Sequence, residues 1–308
     1  MPTWLLIVII AQFFYAISAI VDKFIITSKK VSKPFIYAFY VTILSFLPII
    51  IFFFGGIEIG GFTFPSIDNV TRPTISLLSM ALLSAFTGFH ALVSLYSALR
   101  EADASDVIPV VGSVSAVGTL LLSYLVIDNT LSWTFLVALG YIILGTALIS
   151  KLRFSKEVLL LALHAGILFS IKATVIKKMF VDTSFDQAFF WTRIALVIFV
   201  FSLLLIPRYA SKVKFNTKKQ KKSGGLWVLG NAMIGGTAAF LTLKAIDLGN
   251  VTIVQALGGL QFIFLIIISF FFGKFIPKKC GENNSVMDVV QKIIAITLFV
   301  LGFYFLFI

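Results

Sequence analysis

Three cationic residues stand inside long apolar runs: Lys172 in FSIKATVIKK, Arg193 in FFWTRIALV and Lys244 in LTLKAIDLG. A charge carried into hydrocarbon costs about 2.5–3.5 kcal/mol on insertion scales, so it is retained where it is paired, hydrated or used. The chemistry open to a buried ammonium and guanidinium is recognition of a carboxylate or phosphate through charge-assisted hydrogen bonds. Only Lys244 has a local carboxylate in reach, Asp247 three residues on. Lys172 and Lys244 can also carry their ammonium groups outward along their stems. Arg193, beside Trp191 in mid-run, is less easily relieved that way, so Lys172 and Arg193 together are the leading candidates for binding an anionic group.

Other polar residues in apolar surroundings extend the set of substrate-binding candidates. Thr87, His90, Ser94 and Ser97 recur every three or four residues and share one helix face. Gln12 and Tyr15 share another face, Asn231 lies in a later run, and Gln255 is followed by Gly258 and Gly259. His90 and His164 are candidates for a proton relay or for plain hydrogen bonding, and nothing groups them with metal ligands. No catalytic motif or phosphate loop is present, so neither enzymatic activity nor a cofactor or metal is expected. Asp22 falls at the end of the first run beside Lys23 and is expected to stand apart from any site.

The elements that hold these residues follow from composition. The 308 residues are 59% hydrophobic and 12% charged, include 34 Phe, and have a mean hydropathy of +1.06, which places the chain in a membrane. Ten apolar runs approach the roughly 20 residues that cross a bilayer as a helix. They lie near 3–22, 34–54, 74–99, 104–127, 132–150, 157–178, 185–206, 225–247, 250–272 and 288–307. The runs are too long and too uniformly apolar for barrel strands. The first has no basic stretch before it and no small-residue cleavage site after it, and reads as a retained helix. Residues 208–225, RYASKVKFNTKKQKKSGG, read as a flexible loop against anionic headgroups. The net charge of +12 then reflects Lys-rich membrane loops, and nucleic acid is excluded as a partner. A single cysteine, Cys280, rules out an internal disulfide framework.

The chain also repeats. Residues 15–24, YAISAIVDKF, align with 169–178, placing Lys23 on Lys177 and Ser18 on Lys172. An offset of 147 places Ala98 on Ala245, His90 on Thr237 and Ser97 on Lys244. The expected architecture is all-α, with ten transmembrane helices in two five-helix repeats, 1–150 and 156–308. An odd number of helices per repeat makes the halves inverted in the membrane. Most of the 25 basic residues fall in connections on one side, whereas the other side holds Arg72, Lys177 and Lys178. The positive-inside rule places the basic loops in the cytoplasm and both termini outside a cell membrane.

Two inverted halves of five helices, a first helix WLLIVIIAQFFYAISAIVDKF and the passage YSALREADASDVIPVVGSVSAVGTLLLSYLV followed by DNTLSW resemble the drug/metabolite transporter superfamily. The nearest branch is the EamA-like transporters. The resemblance implies that helices 1–4 and 6–9 line a central cavity while helices 5 and 10 lie outside it. It also implies an acidic residue after the fourth helix, which Asp128 approximates. Short multidrug pumps of the superfamily depend on a Glu in their first helix, a role the first helix here lacks before Asp22. The expected function is secondary transport of a small polar or anionic metabolite by alternating access. Lipid or lipid-linked sugar flipping, and a membrane sensor or assembly subunit that transports nothing, are the alternatives. The expected partners are a small-molecule metabolite and membrane lipids, with a homodimer as a further option.

Overall fold

With no water to complete backbone hydrogen bonds in hydrocarbon, continuous apolar runs must close their bonds internally as helices. The computed structural model describes residues 2–28, 31, 33–59, 62–127, 132–150, 155–219, 222–272 and 286–306. Twelve α-helices are described there: α1 Thr3–Thr27, α2 Pro34–Leu44, α3 Ile75–Glu101, α4 Ala104–Ile127, α5 Trp133–Ser150, α6 Lys156–Asp182, α7 Phe185–Leu203, α8 Pro207–Lys219, α9 Lys222–Leu248, α10 Val251–Ala256, α11 Gly259–Phe272 and α12 Val286–Leu306. Helix starts follow local chemistry. The side chains of Thr74, Ser155, Ser184 and Asn250 accept from the first free N–H groups of α3, α6, α7 and α10.

Among the described residues, eight spans are long and apolar enough to cross a membrane. Two of them change course midway. The span Pro34–Phe54 passes from α2 into a 3-10 helix, Leu47–Phe54, around Pro48, and Val251–Phe271 is interrupted between α10 and α11. Helices α5 and α12 carry shorter apolar stretches, Trp133–Gly145 and Ile293–Phe305. The segment read as a loop at 208–225 is helical up to Lys219. Its Tyr209 stacks on Phe35 at 5.1 Å, with Lys212 Nζ 5.7 Å from the Tyr209 ring centre, and Val213 packs against the core. That apolar stripe gives α8 the amphipathic character of an interfacial helix. A short hairpin, β1 Glu58–Ile59 with β2 Phe62–Thr63, precedes α3.

Helix α1 packs along α9, and α3 along α6. The first pair is antiparallel: Phe24 meets Trp227 at 5.0 Å at one end, and Trp4 lies against Gly249 at the other. Helices α5 and α12 pack against each other, with Tyr141 stacked on Phe305 at 5.4 Å, and share an apolar core with α4 and α11.

Two lysines join the two pairs. Lys23 on α1 donates to the carbonyls of Leu99 and Ala102 at the C-terminus of α3, at 2.8 and 2.7 Å. Lys177 on α6 donates to those of Ile246, Asp247 and Gly249 at the C-terminus of α9, at 2.8, 3.1 and 3.0 Å. Helix ends leave carbonyls without partners, and a cation there also meets the negative end of the helix dipole.

Close approach of α4 and α6 depends on Gly166, where a Cβ would lie 2.6 Å from Val114 Cβ and 2.9 Å from the Val111 carbonyl. Gly166→Ala is expected to destabilise the fold by about 1–3 kcal/mol through overpacking. Gly140→Ala on α5, where a Cβ meets nothing within 4 Å, is expected to be neutral or stabilising. Thermal unfolding midpoints of both variants in detergent check the contrast.

Candidate functional site

Helix α1 presents Gln12, Tyr15, Ser18 and Asp22 along one side, and this stripe is one wall of a cavity of about 290 Å³. The opposing walls bring Thr42 and Ser45 at the end of α2, Gly88 and Tyr96 from α3, Ser115 from α4, Lys172 from α6, Arg193 from α7, Asn231 and Thr242 from α9, and Gln255 and Gln261 on either side of the α10/α11 break. Among the described residues, α5 and α12 contribute none to the lining.

The cationic region centres on Arg193. The side chain is 5% exposed, with one terminal nitrogen 3.5 Å from the carbonyl of Ser45 where α2 gives way to the 3-10 segment. Its guanidinium lies 4.9 Å from the centre of the Phe189 ring, and its Nε has no partner among the described residues. The connection before α3 fixes the start of α7. Asp186 accepts from the Ser66 N–H and from Asn69, and Gln187 from the Thr71 N–H. Lys172 reaches the cavity beside Gly88, where a Cβ would sit 3.1 Å from Lys172 Cδ. Its Nζ is 6.0 Å from the Phe169 ring centre, and no described residue offers it a hydrogen bond or a carboxylate. Both cations line the same cavity.

The other polar region was not read from the sequence. Asp22 is 8% exposed and its Oδ1 accepts from the Tyr37 hydroxyl and, at 2.6 Å, from Asn231 Nδ2. Asn231 also donates to the Tyr37 oxygen at 3.0 Å, and the Tyr37 and Tyr96 rings are 4.5 Å apart. Asp22 therefore does not stand apart from the site as expected. Helix α1 runs on to Thr27 rather than stopping near residue 22, which turns Asp22 onto the cavity face. The signal was present in the spacing: residues 12, 15 and 22 differ by three and seven, one face of a continuous helix.

Of the residues singled out in the sequence, Gln12, Tyr15, Lys172, Arg193, Asn231 and Gln255 line this one cavity. His90 and Lys244 do not. His90 donates through Nδ1 to the Phe86 carbonyl at 2.9 Å and lies among Phe86, Phe89 and Phe199. The rest of its stripe turns the same way: Ser94 meets His164 at 2.8 Å, and Thr87 and Ser97 bond carbonyls of their own helix. The cavity side of α3 carries Gly88, Leu92, Leu95 and Leu99 instead. Lys244 pairs with Asp247 at 2.9 Å over the Phe185 ring. Asp128 lies outside the described residues.

The family model of the EamA-like transporters matches residues 2–151. Through that half, the chain belongs to the EamA-like transporter family. The superfamily is that of the drug/metabolite transporters. The chain is also similar to a protein of known crystal structure, with 15% identity, a TM-score of 0.61 and coverage of 94% of both chains. That likeness concerns the fold alone. No curated protein matches the sequence. With its apolar spans, this EamA-like chain is a multi-pass membrane protein.

Proposed function

We propose that the protein is a secondary transporter that moves a small polar or anionic metabolite by alternating access. The observation that carries the reading is the buried pair Arg193 and Lys172 lining one cavity with no carboxylate partner among the described residues. A cation held in a low-dielectric cavity attracts an anion and binds it through charge-assisted hydrogen bonds. A volume of about 290 Å³ suits a small metabolite. The interrupted spans α2 and α10–α11 flank the same cavity, as discontinuous helices do in carriers whose sites lie at mid-membrane.

Ten transmembrane helices in two inverted repeats, 1–150 and 156–308, are part of this proposal, with α5 and α12 as the fifth helix of each half. Lys23 and Lys177 support it: they bond Leu99 and Ala102 in one half and Ile246 and Gly249 in the other, and each carbonyl pair is separated by the offset of 147 residues that aligns Ala98 with Ala245. The cell membrane is the proposed location, with lipids and the metabolite as partners, no cofactor, and a homodimer as an option. Movement of a lipid-like amphiphile is a second reading. It draws on a groove between α1 and α9, lined by Val21, Trp227 and Ile234, which shares Asn231 with the cavity.

Pentanoate is expected to raise the thermal midpoint of the purified protein, since a ligand that binds the folded state stabilises it by mass action. Arg193→Gln and Lys172→Gln should each reduce that shift, non-additively, while leaving the ligand-free midpoint near wild type. Equal shifts in all variants would remove the anion site. For topology, an alkaline phosphatase reporter fused after Ile308 should be active outside, and one in 208–225 inactive in the cytoplasm. The reverse pattern would refute the charge-based orientation.

A further inference from the structure

Asp22 is a carboxylate in the cavity without a positive partner among the described residues. Its Oδ1 is taken by two neutral donors, Tyr37 and Asn231, and no described residue donates to Oδ2. The neighbouring Lys23 points away to the end of α3. The cavity thus has opposite unpaired charges at two levels, and α1 gives their separation. Tyr15 lies on the cavity wall that Arg193 also lines, and the seven residues from Tyr15 to Asp22 span about 10 Å of helix. We propose that Asp22 is the binding site for an ammonium group of the transported molecule, which is then an extended zwitterion with its anionic group at Arg193 and Lys172. This rests on the anion-transport reading above.

Organic ammonium suits the surroundings better than a small metal cation. The Tyr96 ring, packed on Tyr37, lines the cavity and aromatic rings attract ammonium groups, whereas a hard metal cation needs a shell of several oxygens. Subtracting two hydrogen bonds of about 2.8 Å each from the 10 Å separation leaves roughly 4–5 Å between the ligand's charged groups. In an α-amino acid the nitrogen and carboxyl carbon are only about 2.5 Å apart, from bond lengths of about 1.5 Å and the tetrahedral angle. The site therefore favours an amino group several carbons from the acid.

The test compares glycine, butanoate, butylamine and 4-aminobutanoate as stabilisers of the purified protein, in sodium and in choline buffers. 4-Aminobutanoate is expected to give the largest shift, and glycine the smallest among the acids. Asp22→Asn should abolish the advantage of 4-aminobutanoate over butanoate while keeping the butanoate shift, and Arg193→Gln should weaken both acids. Equal shifts from butanoate and 4-aminobutanoate in the wild type, or an Asp22-dependent shift that follows sodium instead, would overturn the ammonium site alone. Failure of every acid to stabilise the wild type would overturn the anion reading beneath it.

A separate observation concerns the lysine contacts. Because α1 and α9 are antiparallel, the Lys23 contact and the Ile246–Gly249 contact lie at opposite ends of the α1/α9 pair. Each joins that pair to the α3/α6 pair, and Leu99 and Ile246, whose carbonyls are bound, themselves line the cavity. The geometry points to two clasps that close the cavity at its two ends and open in alternation.

Side-specific labelling separates this from simple helix capping. In a Cys280→Ser background carrying Leu92→Cys, a membrane-impermeant thiol reagent reads access to the cavity. Lys23→Gln should raise labelling severalfold from the side of the basic loops, and Lys177→Gln from the other side. Increased access from the same side in both, or unchanged labelling with lowered melting points, would overturn it.

Discussion

A charge inside a bilayer finds no water to solvate it, and the arrangement of this protein depends on how its intramembrane cations are met. Lys23, Lys177 and Arg193 all reach backbone carbonyls at places where a helix ends or breaks. Such carbonyls have lost their intrahelical donors and sit at the negative end of the helix dipole. Two costs therefore offset each other: an unpaired acceptor and an unpaired cation. Lysine satisfies several carbonyls at once. The guanidinium of Arg193 uses one terminal nitrogen weakly and keeps Nε without a partner among the described residues, which is why it stands out as a group available to a ligand.

The same constraint explains where the cavity lies. Polar side chains gather at the interrupted spans, Thr42 and Ser45 at one and Gln255 and Gln261 at the other. A helix can break at membrane depth only where protein or a water-lined space takes up the freed groups. Facing these breaks, α1 remains a continuous rod, and its stripe from Gln12 to Asp22 gives the cavity a straight wall. The surrounding aromatic clusters, such as Phe185, Phe189 and Phe240, fill the remaining volume without hydrogen-bonding demands.

Much of this was legible in the sequence because hydrocarbon thickness limits what an apolar run can be. The long apolar helices, the correspondence of Lys23 with Lys177 and the place of Lys172 and Arg193 on one cavity follow from run length, repetition and buried charge, whereas of the ten spans expected eight are long and apolar enough among the described residues. The misreadings of α3 and of Asp22 turn on which way a helix faces about its axis. A polar stripe on α3 was assigned to the cavity when it faces α6 and α7, since hydroxyls and an imidazole find partners between helices as readily as in a cavity. Asp22 was set aside because a run of apolar residues ends before the helix does. In α8, the alternation of lysines with Tyr209 and Val213 reads as a loop by charge and as an amphipathic helix by spacing.

Gly88 and Lys172 face one another across the α3/α6 contact with almost no room between them. The stem of the lysine occupies the place where a side chain at residue 88 would be. These positions therefore share a single allotment of volume: a chain that enlarged residue 88 would have to shorten or redirect residue 172. Among related sequences the two should vary together, with a small residue on α3 accompanying a long cation on α6 and a larger one marking carriers that have given that cation up.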